Sequence, residues 1–456
     1  MSVPDPPSSE LPTRSKGGRF HRLTTPTEWI EYYRPGHFHP VHIGDELHQG
    51  RYKIIRKLGY GSFSTVWMAR DRERDGWVAL KIVKAKDSSD SNELSFHQIL
   101  AHHDDPRHDD ENGRHVVALL DEFTHHGPNG AHLCLVLELM GPSASAFQDH
   151  LTHGRGKRHR EGVIEKYPIW MAWEILTQAL HGLDYLHRKG IVHGDLNPGN
   201  ILLPVTLLDG GQGAQREELV QDVSKSARVR RLDGKEDQWA PRYLPVQEPL
   251  FDHVDIKHGQ VKISDFGCAF WNSSPPAKPT TARYLRSPEV VLGLPFDQSI
   301  DIWSFGILVF EFFTGHPMFY PLGFWNNSAE CVDDDHLLQM SALLGEFPAE
   351  LSTAWTRSKL YYDQHGKLFN NHVKDDPSEE DKVNTWNPPL AEFFEELRCQ
   401  AEPEEEFQLD DTDVADIMSV LRWTLQYDHT KRPSASELLE HPLFAGRPRG
   451  ARCGDA

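Results

Sequence analysis

The string His193-Gly194-Asp195-Leu196-Asn197-Pro198-Gly199-Asn200 places an aspartate five residues ahead of an asparagine, and Ile263-Ser264-Asp265-Phe266-Gly267 supplies a second aspartate further on. A carboxylate to accept a hydroxyl proton, with an amide oxygen and a second carboxylate to hold Mg2+, are the parts that phosphoryl transfer needs. Upstream, Gly59-Tyr60-Gly61-Ser62-Phe63-Ser64-Thr65-Val66 stands between two apolar runs. Its glycines would let backbone N–H groups approach a triphosphate, although hairpin turns use glycine for conformational reasons alone. Fifteen residues beyond Val66, Lys81 ends the apolar run Val78-Ala79-Leu80, where it must snorkel or meet anions. Glu93 is its candidate ion-pair partner; the plain alternative is two exposed charges.

Positioning those groups requires a scaffold, and the hydrophobic periodicity supplies one. From Arg51, the runs around Tyr52, Ile54 and Leu58, around Val66, Trp67 and Ala69, and from Val78 to Val83 read as a meander of strands. A short helix follows over Glu93–His103, then a strand pair at Val116–Leu120 and Leu133–Glu138. Apolar residues recur at spacings of three and four from Ile169 to Arg188, the mark of an amphipathic helix. Ile300–Thr314 is apolar nearly all round and predicts a buried helix. Ser434 and Glu437 have the spacing of a capping box opening a last helix.

With 456 residues the chain holds about three domain-equivalents or one two-lobed unit with insertions. Its 48 basic and 68 acidic residues give a net charge of −20, which disfavours nucleic-acid binding and favours cationic partners. Five scattered cysteines without Cys-x-x-Cys spacing indicate neither a disulfide framework nor a zinc site. No apolar stretch reaches the roughly 20 residues of a bilayer span, and the proline-rich start lacks an apolar signal core, so secretion is not expected. Residues 1 to about 30 read as a mobile tail, and residues 204–260 and 370–408 as polar insertions. The acidic runs at 375–381 and 402–406 are solvated surface or part of a docking surface. The paired histidines, His102-His103 and His125-His126, read as loop residues rather than metal ligands.

After the aspartates come Ser287-Pro288-Glu289, then Asp301-Ile302-Trp303-Ser304-Phe305-Gly306, then Lys431-Arg432-Pro433. In this order the six motifs resemble the signature set of a eukaryotic protein kinase from Leu58 to about Phe444. Three features resemble the SR-protein kinases within the CMGC group: His39-Pro40-Val41-His42-Ile43-Gly44-Asp45; Arg56-Lys57-Leu58 running into the glycine segment, with Ser64 at the third glycine position; and Asp334-Asp335-His336 opening a helix that ends Leu343-Leu344-Gly345. The resemblance implies an α+β, bilobal protein-kinase fold, with a small β-rich N-lobe over 31–140 and a larger, mostly helical C-lobe over 141–446 that carries both insertions, then a tail over 447–456. It also implies ATP and Mg2+, Arg/Ser-rich protein substrates such as splicing factors, no direct nucleic-acid or membrane partner, a monomer, and residence in cytoplasm and nucleus.

Carried over by position, Lys81 would hold the α- and β-phosphates, oriented by Glu93, and Asp195 would be the catalytic base. Asn200 and Asp265 would hold the metal, under the backbone of Leu58 to Val66. The adenine would lie among Leu58, Val66, Ala79 and Leu202, with Leu137 as gatekeeper and the backbone of Glu138 and Met140 on the base. Glu289 and Arg432 would form a buried ion pair, and Asp301 would hold the catalytic-loop backbone. The family also implies a C-lobe docking groove, here expected at Asp333–Asp335.

Three positions depart from the family. Asn197 replaces a lysine that stabilises the transferring phosphoryl group, and its hydroxyl partner falls at Ala282, with Thr281 adjacent. Losing one positive charge from such a transition state costs on the order of 3 kcal/mol. Gly194 stands where most protein kinases have an arginine that reads an activation-loop phosphate, an arginine that the SR-protein kinases lack too. The competing readings are a kinase-fold scaffold, favoured by Asn197, and a small-molecule kinase, opposed by Glu289, Asp301 and Arg432.

Overall fold

In the computed structural model, the residues described are 6–13, 17–89, 92–101, 111–154, 167–207, 217–321, 328–363, 368, 389–399 and 409–445. They fall into two compact units, the first formed by 1–109, 117–142 and 202–259 and the second by 110–116, 143–201 and 260–456. Both acidic runs, at 375–381 and 402–406, and the 447–456 tail lie outside the described residues.

The first unit is built on an antiparallel sheet of six strands, β1 (Glu46–Leu47), β2 (Tyr52–Tyr60), β3 (Ser64–Asp71), β4 (Gly76–Val83), β5 (Leu119–Gly127) and β6 (Gly130–Glu138), in the order β1-β2-β3-β4-β6-β5. Because successive strand side chains point to opposite faces, each strand feeds two cores. Val78, Leu80, Ile82, Cys134 and Val136 pack on one face with Tyr52, Ile54 and Trp67. Ala79, Val83, Leu133, Leu135 and Leu137 pack on the other. Lys81 lies between Ala79 and Val83 in this alternation, so it shares their face. Helix α1 is described over Glu93–Ala101, the rest of the expected helix to His103 lying outside the described residues, and the expected strand at Val116–Leu120 is registered later, as β5.

Residues 17 to 30 are not a loose tail. Phe20, Ile30, Tyr33 and Phe38 form an apolar cluster with Ala227, Ala240 and Leu244 of the insertion. Glu28 ion-pairs with Lys57 of β2, both side chains without exposure, and accepts from the Tyr33 hydroxyl. Burial pulls the Lys57 ammonium down and Glu28 pushes it back up. Breaking such a pair leaves an uncompensated buried charge, which ties the extension firmly to the strand leading into Gly59. The spacer, described over 204–207 and from 217 onward, belongs to the first unit rather than to the C-lobe. Gln221 donates its N–H to the Ile55 carbonyl (3.1 Å), and the Glu248 N–H donates to the Lys57 carbonyl (2.9 Å). These bonds occupy β2 backbone groups that an open sheet edge would leave unpaired.

The second unit is mostly helical, with α2 (Ala144–Gly154), α3 (Ile169–Arg188), α4 (Pro288–Val291), α5 (Ser299–Thr314) and α6 (Ala329–Leu344) as its principal helices before residue 345. Its buried helix α5 meets the helix Asp411–Thr424 so closely that a Cβ on Gly306 would sit 2.3 Å from the Thr424 hydroxyl. Only glycine allows that approach. The capping box of Ser434 and Glu437 opens helix Ala435–Leu439 as the spacing predicts. No helix among the described residues is long and apolar enough to cross a membrane.

Candidate active site

In the first unit the glycine segment is the β2–β3 hairpin, with Gly59 opposite Val66 and Tyr60 opposite Thr65. Gly61 donates its N–H to the Ser64 carbonyl (2.9 Å), leaving Ser62 and Phe63 exposed at the tip. A Cβ on Gly59 or Gly61 would meet nothing within 4 Å, so the backbone is open to a ligand there. Ser64 and Thr65 are buried, and the Thr65 hydroxyl accepts from the Trp67 indole N–H (2.9 Å). Those two could reach a nucleotide only through backbone, not through their hydroxyls.

The alternation that places Lys81 on the Ala79 face also gathers the apolar residues expected around adenine. Leu58, Val66, Ala79, Leu137, Met140 and Leu202 all lie in one cluster, and Ala79 is directly opposite Leu137 across β4 and β6. The Glu138 N–H already donates to the Ala118 carbonyl (3.1 Å), so Glu138 could offer a base only its carbonyl. Lys81 Nζ donates to Glu93 Oε1 at 2.6 Å, with both residues buried. The alternative of two exposed charges is therefore excluded.

In the second unit the loop 193–200 is held from several directions. Asp301, at the start of α5, accepts the His193 N–H (2.7 Å) and the Gly194 N–H (2.9 Å) through its two carboxylate oxygens, and also pairs with His187 Nε2 (3.0 Å). His193 donates from Nε2 to the Ser264 carbonyl (3.1 Å) and accepts the Asp195 N–H at Nδ1 (3.2 Å). Its ring packs edge-on against the buried Phe266. Burial raises the Asp195 carboxyl above the usual carboxylate range, and Asp265 raises it further, against a downward pull from His193. Its oxygens receive the Ala282 N–H and the Asn200 amide, both at 3.3 Å. Asp265 stands at φ 67° and accepts the Gly267 N–H (3.3 Å), a left-handed backbone rarely adopted by residues other than glycine. The Ser264 N–H donates to the Asn200 carbonyl (2.9 Å), coupling the two aspartate segments.

The departures acquire physical reasons. Asn197 Nδ2 donates to the Asp195 carbonyl (3.0 Å), and Oδ1 accepts the Gly199 N–H (2.8 Å), so Asn197 caps the turn Pro198–Asn200. It braces the loop and supplies no charge. Thr281 does not restore the missing hydroxyl by a one-residue shift, because it is buried and donates to the Gly194 carbonyl (2.6 Å). Gly194 has φ 74°, and a Cβ there would lie 2.8 Å from the Cys268 carbonyl. The backbone itself thus demands glycine where most protein kinases have arginine. His193 and Thr281 are positioning groups whose roles the sequence did not disclose, since each acts through backbone partners distant along the chain.

The expected docking cluster differs from its reading. Asp333–Asp335 lie inside α6, one turn past its start, not at its opening. Asp334 is buried and accepts from the Trp355 indole (2.7 Å), Arg357 Nε (2.5 Å) and the Tyr361 hydroxyl (2.8 Å). Asp333 is raised by burial against the pull of Arg286, Arg283 and Lys278. This charge is answered within the unit, because a buried carboxylate must be compensated where it sits.

Comparison with known proteins gives a match to the protein kinase domain over residues 52–227 and 253–444. A serine/threonine-protein kinase SRPK from Physarum polycephalum is 35% identical over 434 residues, covering 92% of each chain. Protein kinase dsk1 from Schizosaccharomyces pombe is 28% identical, covering 92% of this chain and 85% of that one. A crystal structure of a kinase domain superposes with a TM-score of 0.58 at 23% identity, covering 90% of this chain and 99% of the other.

Proposed function

Because this chain belongs to the protein kinase family, in its SR-protein kinase branch, and is a serine/threonine protein kinase using ATP, we propose that it transfers the γ-phosphate of MgATP to serine in arginine-rich protein segments, splicing factors among them. The observation that carries the chemistry is the pinned loop: Asp195 keeps its carboxylate beside neutral N–H donors while Asp301 fixes the backbone. In this reading Asp195 orients the substrate hydroxyl and takes its proton. Lys81, oriented by Glu93, holds the α- and β-phosphates, the glycine hairpin covers them, and the Ala79 face receives adenine. Asn200 and Asp265 fit a hard cation, being one amide oxygen and one carboxylate in linked segments. Mg2+ takes few protein ligands and completes its shell with phosphates and water. When bound it would neutralise charge on the phosphates.

The arginine preference rests on the net charge of −20 and on the SR-protein kinase relatives. Long-range attraction is screened beyond about 8 Å at physiological ionic strength, so KM for an Arg-Ser peptide should rise several-fold between low and high salt. A matched Lys-Ser peptide should be poorer, since an ammonium lacks the guanidinium's forked geometry. Label transfer from ATP to both peptides at two salt concentrations tests this. Equal rates on the two peptides would remove the arginine preference. MgATP stabilisation without any transfer would instead favour the scaffold reading that Asn197 and Ala282 support.

Asn197→Ala removes two hydrogen bonds worth about 1 kcal/mol each. It should lower kcat about tenfold and leave KM for ATP nearly unchanged, as read by steady-state kinetics. An undiminished kcat would mean that the cap does not hold the loop.

A further inference from the structure

The protein kinase match breaks between residues 227 and 253, and the chain changes charge there. Ser224-Lys225-Ser226-Ala227-Arg228-Val229-Arg230-Arg231 is strongly basic within a protein of net charge −20. A cavity of about 370 Å3 opens on this segment, walled by Ser224, Ser226, Arg228, Arg230, Arg242 and Tyr243, with two valines and no carboxylate. Ligand pockets begin at about 300 Å3.

The wall is built rather than loose. Ala227–Arg228 pairs antiparallel with Tyr243–Leu244, setting Arg228 opposite Tyr243, and the Val229 N–H donates to the Arg242 carbonyl (3.1 Å). Ala227 and Leu244 are buried against the N-terminal extension, and the Tyr243 hydroxyl accepts the Ile43 N–H (3.1 Å). The next arginine has its charge answered: Arg231 forks onto Asp233 (2.8 and 2.7 Å) and also reaches Asp237 (2.6 Å). Arg228, Arg230 and Arg242 are exposed and form no ion pair among the described residues. Three guanidiniums on one concave wall give it a positive field that favours an anion. Their planar forks match phosphate oxygens in pairs, and the Ser226 hydroxyl adds a neutral donor, while the Ser224 hydroxyl donates to Asp222 just outside the wall (2.7 Å).

We propose that this cavity binds the phosphate of a phosphorylated serine. That chemistry has two sources: a phosphoserine on another protein, or Ser224 or Ser226 of this chain, which lie in a basic segment of the kind proposed for its substrates. In the second case the serine Oγ bonds to the γ-phosphorus of ATP bound to another copy. The bond from that phosphorus to the β-γ bridging oxygen breaks, ADP leaves, and the hydroxyl proton passes to Asp195 of the other copy. The binding itself does not depend on the arginine-rich substrate reading.

The test titrates a phosphoserine peptide and its unphosphorylated twin calorimetrically into the dephosphorylated full chain and into Arg228→Gln/Arg242→Gln. The wild type should bind the phosphopeptide at least tenfold more tightly than the twin. The variant should lose that preference while keeping its melting temperature, because both arginines are exposed. In a parallel arm the wild type is incubated with MgATP and mapped by mass spectrometry. Phosphate on Ser224 or Ser226 with loss of phosphopeptide binding assigns the internal source, and retained binding assigns the external one. Equal binding of the two peptides by the wild type, or a preference that survives in the variant, would overturn the proposal.

Discussion

Asp195→Ala should lower kcat by roughly 10^2- to 10^4-fold, the range of a lost general base, while the thermal shift produced by MgATP stays nearly as large as in the wild type. The loop does not depend on this carboxylate for its shape. Asp301 holds the His193 and Gly194 N–H groups, His193 reaches Ser264, and Asn197 caps the following turn. What the substitution removes is the half-buried carboxylate, along with two 3.3 Å contacts from Ala282 and Asn200. Residue 195 would contact the substrate hydroxyl and no nucleotide phosphate, so binding and transfer should separate. Single-turnover transfer together with thermal shift decides it. Residual activity within tenfold of wild type would remove Asp195 from the mechanism.

Arg432→Ala should destabilise the second unit by about 3–5 kcal/mol, the cost of leaving one member of a buried ion pair alone. Arg432 meets both oxygens of Glu289, at 2.6 and 2.8 Å, and reaches the carbonyls of Ser299 (3.2 Å) and Gln426 (2.9 Å). Its guanidinium also stacks over Trp303, 4.9 Å from the ring centre. One side chain therefore ties α4, the start of α5 and the turn after Gln426 together. Arg432→Lys should recover little, because an ammonium cannot make the paired contact. Denaturant unfolding measures the loss, and a change below about 1 kcal/mol for Arg432→Ala would show that the pair is not a structural brace.

The parts of the site that were legible in the sequence are those where one residue's chemistry and its neighbours' periodicity suffice. Lys81 on the Ala79 face follows from strand alternation, and its pairing with Glu93 from the cost of burying an ammonium alone. The α5 helix and the Ser434 cap follow from local pattern. What stayed hidden depends on contacts between distant segments. Glu28 and Lys57 are 29 residues apart, and Arg19 reaches Asp237 across 218. A proline-rich, charged start reads as a tail until its partners are known. The insertion beyond residue 203 likewise reads as polar because its scattered apolar residues find their cover in distant segments, Ala227, Ala240 and Leu244 in the N-terminal extension and Leu219 and Leu250 against Ile55 and Met68. Asp334 departs from its expected docking role for the complementary reason: a run of three aspartates reads as charge free to grip a partner, yet the middle one is enclosed by Trp355, Arg357 and Tyr361.

The most direct test of the account is transfer of label from γ-labelled ATP to an Arg-Ser peptide by the purified full chain, beside the same peptide with every serine replaced by alanine. Stoichiometric, MgATP-dependent label on serine, absent from the alanine peptide and from reactions with Asp195→Ala, is the predicted result. Label that fails to appear although MgATP stabilises the protein would contradict it, and would show that Asn197 and Ala282 mark a nucleotide-binding scaffold rather than a kinase.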